Sequence, residues 1–90
     1  TRKFDNPNYI EPMMEFTPED AINYIENECP YEVRENWQIS GKNYTIANKC
    51  QVIIYPEDNY VKVRNIRANR SKQVYSLEAM ISLIDKIVNA

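Results

Sequence analysis

The stretch YTIANKCQVIIYPEDNYVKVR, residues 44–64, decides the predicted fold. Between Tyr44 and Ile54 every even position except Asn48 is apolar. A period of two is typical of a strand with one buried face, so the pattern predicts one long strand with a bulge near Asn48. Residues 56–59, PEDN, have the composition of a turn and predict a hairpin loop to the next strand.

The register of this hairpin follows from its loop. With Tyr55 opposite Tyr60, Val52 comes opposite Val63 on the buried face. A slip of one residue would turn the apolar side chains to water, so the pattern specifies the pairing. We expect the outer face of the hairpin to carry basic, polar and aromatic side chains, namely Thr45, Lys49, Gln51, Ile53, Tyr55, Tyr60, Lys62 and Arg64.

The segments on either side complete the predicted sheet. If residues 40–43 form a turn, Trp37 and Ile39 fall on the buried parity of a first strand. Residues 65–72 are polar and basic and predict a loop. The sheet is therefore a three-stranded antiparallel meander, because two successive hairpins place sequential strands side by side.

Helices are predicted at both ends of the sheet. Thr17 can cap a first helix with Pro18 in its first turn, and Pro30 ends it. Ser76 can cap a last helix that has an apolar stripe. The fold class is α+β with the order α-βββ-α and both helices on one face. The predicted core consists of Ile22, Ile25, Trp37, Ile39, Ile46, Val52, Ile54, Val61, Val63, Leu77, Ile81 and Ile84.

Residues 1–16 contain two prolines and no helical or alternating period, so we expect an extended N-terminal arm. Residues 17–90 form the single α+β domain that a chain of 90 residues allows. The arm is rich in apolar side chains, which either pack across the domain or dock on a partner.

Charge is sorted along the chain. Residues 1–35 hold nine acids and three bases, whereas residues 36–90 hold four acids and eight bases. The basic run suits a phosphate backbone or an acidic protein surface, and it could equally pair with the acidic first helix. That helix could itself imitate a phosphate backbone. The run consists of Lys62, Arg64, Arg67, Arg70 and Lys72.

The composition argues against an enzyme. The chain has no histidine, one glycine, and two cysteines without metal-ligand spacing, Cys29 and Cys50. The usual proton shuttle at neutral pH and a glycine-rich phosphate loop are therefore missing, and we expect no catalytic residues, no cofactor and no metal. No apolar run spans a membrane and no signal sequence opens the chain, so we expect a cytoplasmic location, in the host cell if a phage encodes the chain.

Two functions from different classes fit these features. The first is a small non-enzymatic protein-binding module that docks by complementary charge, and in size and composition it is similar to inhibitor and accessory proteins of phages and mobile elements. The second is nucleic-acid binding by the outer sheet face and the segment 60–72. A homodimer through the outer face is a further expectation. The candidate partner-binding or nucleic-acid-binding residues are Tyr55, Tyr60, Lys62, Arg64, Arg67, Arg70 and Lys72.

Overall fold

The computed structural model describes residues 16–90, so the predicted arm lies outside the described residues except for Phe16. The strands form one antiparallel sheet in the order β1-β2-β3-β4-β5. The α+β class is confirmed, whereas the predicted three-stranded meander is wrong. The elements are α1 (Pro18–Asn27), β1 (Val33–Asn36), β2 (Lys42–Ile46), β3 (Cys50–Tyr55), a 3-10 turn (Pro56–Asp58), β4 (Tyr60–Asn65), β5 (Arg70–Gln73) and α2 (Leu77–Val88).

The predicted long strand is two strands joined by a turn. Ala47 and Asn48 both have positive φ, 53° and 58°, and the Lys49 N–H donates to the Ile46 carbonyl at 3.0 Å. Ile46 then pairs with Cys50, so three residues separate the two paired positions. Because three is an odd number, the apolar side chains that face the core lie at even positions in both β2 and β3. A hairpin of this kind and a single bulged strand have the same alternation of apolar residues, so the sequence pattern could not distinguish them.

β5 was predicted to be part of a basic loop. Its sequence Arg-Ser-Lys-Gln has no apolar alternation, yet it pairs with β4 through Asn65↔Arg70 and Val63↔Lys72. Asn69 makes the tight turn with φ 56°. Strand formation here comes from the unpaired edge that β4 offers, because backbone hydrogen bonds form whatever the side chains are.

The prediction that Trp37 and Ile39 lie in the core is wrong. β1 ends at Asn36, which pairs with Asn43, and the predicted turn 40–43 is instead a connection over residues 37–41. Trp37 and Ile39 therefore lie beyond the end of β1. Gly41 has φ 80°, and its Cα lies so close to the backbone of Ile54 that a side chain would overlap it.

The core lies between the sheet and both helices. Thr17 caps α1 through reciprocal hydrogen bonds with Asp20 at 3.2 Å, and Ser76 caps α2 by accepting from the Ala79 N–H at 3.0 Å. The predicted pairing of Tyr55 with Tyr60 is confirmed. The buried core consists of Ala21, Tyr24, Ile25, Tyr44, Ile46, Cys50, Val52, Ile54, Val61, Val63, Val74, Met80, Ile84 and Ile87. Ile22, Leu77 and Ile81 are half-buried beside it.

Within residues 16–90, no helix combines the length and the apolar character that a membrane crossing needs.

Candidate binding surfaces

The face of the sheet opposite the two helices is called the open face below. Residues that pair across an antiparallel ladder point to the same face, and successive residues alternate. Val52 and Val63 pair and point into the core, so their sequence neighbours point away from it. The open face carries Arg34, Asn36, Asn43, Thr45, Gln51, Ile53, Tyr55, Tyr60, Lys62, Arg64, Ser71 and Gln73.

Polar side chains on the open face form a continuous hydrogen-bonded chain. Arg64 donates to Gln51 Oε1 at 2.9 Å, and Gln51 Nε2 donates to Asn43 Oδ1 at 2.9 Å. Asn43 Oδ1 also accepts from Asn36 Nδ2 at 3.1 Å, and the same Nδ2 donates to Thr45 Oγ1 at 2.7 Å. These side chains provide hydrogen-bond donors and acceptors for one another across four strands, and the resulting network holds them in one arrangement.

Four of the seven predicted site residues share the open face. The rings of Tyr55 and Tyr60 are 5.9 Å apart between centroids and tilted by 41°. Lys62 and Arg64 follow along β4 on the same face. Arg64 is held further by a hydrogen bond to Asn69 Oδ1 at 2.8 Å.

The other predicted cations do not join them. Arg70 and Lys72 pair with Asn65 and Val63, so both point to the helix side of the sheet. Arg67 is exposed in the turn between β4 and β5. The predicted basic patch is therefore divided between two faces of the sheet. Arg70 and Lys72 instead border a depression between β5 and α2, called the basic groove, lined by Val63, Arg70, Lys72, Leu83, Lys86 and Ile87.

Lys49 was predicted to lie on the outer face, and that prediction is wrong. It lies in the turn between β2 and β3, and its Nζ donates to the Val88 carbonyl at 3.1 Å. A cation at the end of α2 offsets the negative end of the helix dipole.

The acidic first helix does not neutralise the basic run within residues 16–90. The ion pair found in that part of the chain joins Lys42 Nζ to Glu35 Oε2 at 3.2 Å, between β2 and β1. Glu26 of α1 instead accepts a hydrogen bond from the Tyr44 hydroxyl at 2.6 Å. Among these residues the cations of the basic run therefore have no carboxylate partner.

Trp37 and Ile39 are candidate contact residues that the sequence placed in the core. Their side chains are 85% and 89% exposed. They lie in the connection 37–41, which the Gln38 side chain ties to β2 by accepting from Asn43 Nδ2 at 3.1 Å. The sequence placed them in the core because a four-residue turn over 40–43 would put them on the same face as Tyr44.

Two acidic groups of the core, the Cys50 thiol and the Tyr44 hydroxyl, have raised pKa values. Burial raises the pKa of the Cys50 thiol to about 12, so the thiol is not a nucleophile near neutral pH. Burial and the hydrogen bond to Glu26 raise the pKa of Tyr44 above its usual value. Within residues 16–90, no group of histidine, cysteine, aspartate and glutamate side chains could hold a metal ion.

Comparison of the chain with protein-family models, with curated proteins and with solved structures gives no match in any of the three.

Proposed function

We propose that this chain is a small non-enzymatic protein-binding module of the inhibitor or accessory kind. The observation that carries the proposal is the exposure of Trp37 and Ile39 in the connection between β1 and β2. Burial of an isoleucine side chain stabilises a protein or a complex by about 1.5–3 kcal/mol. The described structure does not gain this free energy at Ile39, because the side chain is exposed. Tryptophan, tyrosine and arginine are also the residues that most often dominate the energy of protein interfaces.

The connection 37–41 is well suited to present these side chains. Gly41 fixes its close approach to β3, and the Gln38 side chain is hydrogen-bonded to Asn43. A loop held in this way loses less conformational entropy on binding than a free loop does.

The charge of the open face indicates the chemistry of the partner. Arg34, Lys62 and Arg64 lie on it, and no carboxylate belongs to it among the described residues. An acidic protein surface would complement these cations and would associate faster at low salt. The partner is therefore a protein with an apolar pocket for Trp37 and Ile39 and with an acidic patch for the open face.

The test is a comparative pull-down from a lysate of the organism that encodes the chain. Trp37→Ser with Ile39→Ser should lose the captured protein while the fold is kept, because both side chains are exposed. Tyr75→Ser is the matched control for loss of a large exposed side chain, since Tyr75 is 75% exposed just before α2. Equal capture by all three proteins, or capture of nucleic acid alone, would contradict the proposal.

Single-stranded nucleic acid is the second candidate ligand. The observation in its favour is the Tyr55–Tyr60 pair next to Lys62 and Arg64, since bases stack on aromatic rings while cations hold phosphates. The division of the basic run weighs against it, because Arg70 and Lys72 point away from this face. Tyr60→Ala should then weaken oligonucleotide binding by roughly 1–3 kcal/mol, measured by titration at low salt.

The cations of the open face also bear on whether two copies of the chain form a homodimer through it. A symmetric pairing brings Arg34, Lys62 and Arg64 of one copy towards the same residues of the other, which like-charge repulsion opposes. A light-scattering mass of two chains that falls to one chain with Ile53→Lys, which adds a cation to this face, would establish the dimer instead.

A further inference from the structure

β5 is an edge strand whose outer side is available for pairing in the described structure. The Val74 N–H donates to the Val61 carbonyl at 3.0 Å, so the bonded pairs of this ladder are 61/74 and 63/72. Because hydrogen-bonded pairs alternate in an antiparallel ladder, the backbone groups of Ser71 and Gln73 point outward. These groups can accept one more strand.

The basic groove runs beside this edge on the helix side. The groove has a volume of about 480 Å³ and adjoins a second depression of about 430 Å³, and Lys72, Leu83 and Lys86 line both. Apolar side chains form the floor, and Arg70 stands at the start of β5. Among residues 16–90, no carboxylate side chain lines either depression. A strand added to β5 would direct every second side chain towards these cations.

We propose that the β5 edge accepts an acidic, extended segment of a partner protein as an additional strand. Its backbone pairs with Ser71 and Gln73, and its alternate side chains, aspartate or glutamate, approach Arg70, Lys72 and Lys86. The inference concerns a second surface and does not depend on the Trp37 connection. Adding a strand to an open edge gives affinity through the main chain, and the side chains set the preference.

Two other roles for the cations are weaker. Lysines on an edge strand discourage unwanted pairing of edges, but that role accounts for neither Lys86 on α2 nor the apolar floor between them. A second copy of the chain paired through β5 would bring Arg70 and Lys72 of both copies together, which repulsion opposes.

The experiment follows the backbone amide signals of the isotope-labelled chain by NMR during titration with a short acetylated peptide in which glutamate alternates with threonine. We expect signal shifts concentrated at residues 70–74 and along the groove side of α2. Arg70→Glu with Lys72→Glu should weaken binding roughly tenfold, since two attractions become repulsions. Ser71→Pro should abolish binding without loss of a β4–β5 bond, because the Ser71 N–H points outward.

The controls separate this surface from the open face. The same peptide with lysine in place of glutamate should not bind, and Lys62→Glu with Trp37→Ser should leave the affinity for the glutamate peptide unchanged. The proposal is overturned if millimolar glutamate peptide shifts no signal in β5, or if Ser71→Pro binds as the parent chain does. A mass of two chains that Ser71→Pro reduces to one would assign the edge to a second copy and would also overturn it.

Discussion

At the scale of single residues, the two cysteines occupy different surroundings. Cys50 is completely buried at the start of β3, whereas Cys29 after α1 is half-buried. Burial raises the pKa of Cys50 to about 12, first by desolvation and then through the neighbouring Cys29. Because thiolates and not thiols attack alkylating reagents, accessibility and pKa both protect Cys50.

We therefore expect iodoacetamide to modify the folded chain at Cys29 and to reach Cys50 only in denaturant. Mass spectrometry of the digested protein measures both sites. Cys29→Ser should leave the folded chain almost unlabelled. Labelling of Cys50 at the same rate in buffer and in urea would contradict its buried position.

At the scale of elements, Gly41 determines how β1 connects to β2. Its φ of 80° lies in the left-handed region, and a Cβ at this position would overlap the carbonyl oxygen of Ile54 on β3. The neighbouring Ser40 is exposed and has no such restriction. The connection that presents Trp37 and Ile39 therefore depends on one glycine.

Gly41→Ala should lower the free energy of unfolding by about 2–4 kcal/mol, because strained backbone and steric overlap add. Urea denaturation followed by circular dichroism measures the change. Ser40→Ala is the matched control and should stay within about 0.5 kcal/mol of the parent chain. An equally stable Gly41→Ala protein would show that the connection has another conformation.

At the scale of the whole molecule, buried acidic groups make the stability depend on alkaline pH. Burial raises the pKa of Cys50 from 9.0 to about 12 and, with the hydrogen bond to Glu26, raises the pKa of Tyr44 above 10.0. The unfolded chain releases these protons at the ordinary values while the folded chain keeps them. The stabilisation is therefore complete below pH 9 and is lost as the pH rises above it.

Between about pH 9 and 11 the free energy of unfolding should fall by roughly 1.4 kcal/mol per pH unit for each group that titrates. Urea denaturation at a series of pH values measures the slope. Cys50→Ala removes the contribution of Cys50, so its slope should be shallower, most clearly from about pH 9 to 10, where Tyr44 of the unfolded chain is still mostly protonated. A denaturation midpoint that stays constant over this range would contradict the pKa values.

The sequence by itself determined the α+β class, the caps at Thr17 and Ser76 and the pairing of Tyr55 with Tyr60. These features depend on neighbouring residues, namely capping side chains, a turn of fixed length and apolar alternation, so local patterns are sufficient to predict them. The candidate site was predictable only in part. The sequence placed Tyr55, Tyr60, Lys62 and Arg64 on one face, as the ladder of β3 and β4 does.

The tertiary structure decided the number of strands, the exposure of Trp37 and the face to which Arg70 and Lys72 point. The turn at Ala47 and Asn48 leaves the alternation of apolar residues unchanged, because an odd number of residues separates the paired positions Ile46 and Cys50. The alternation therefore does not reveal the turn. β5 has no apolar pattern and becomes a strand because β4 presents an unpaired edge. Such features arise from partners distant in the sequence, whose positions exist only once the sheet has formed.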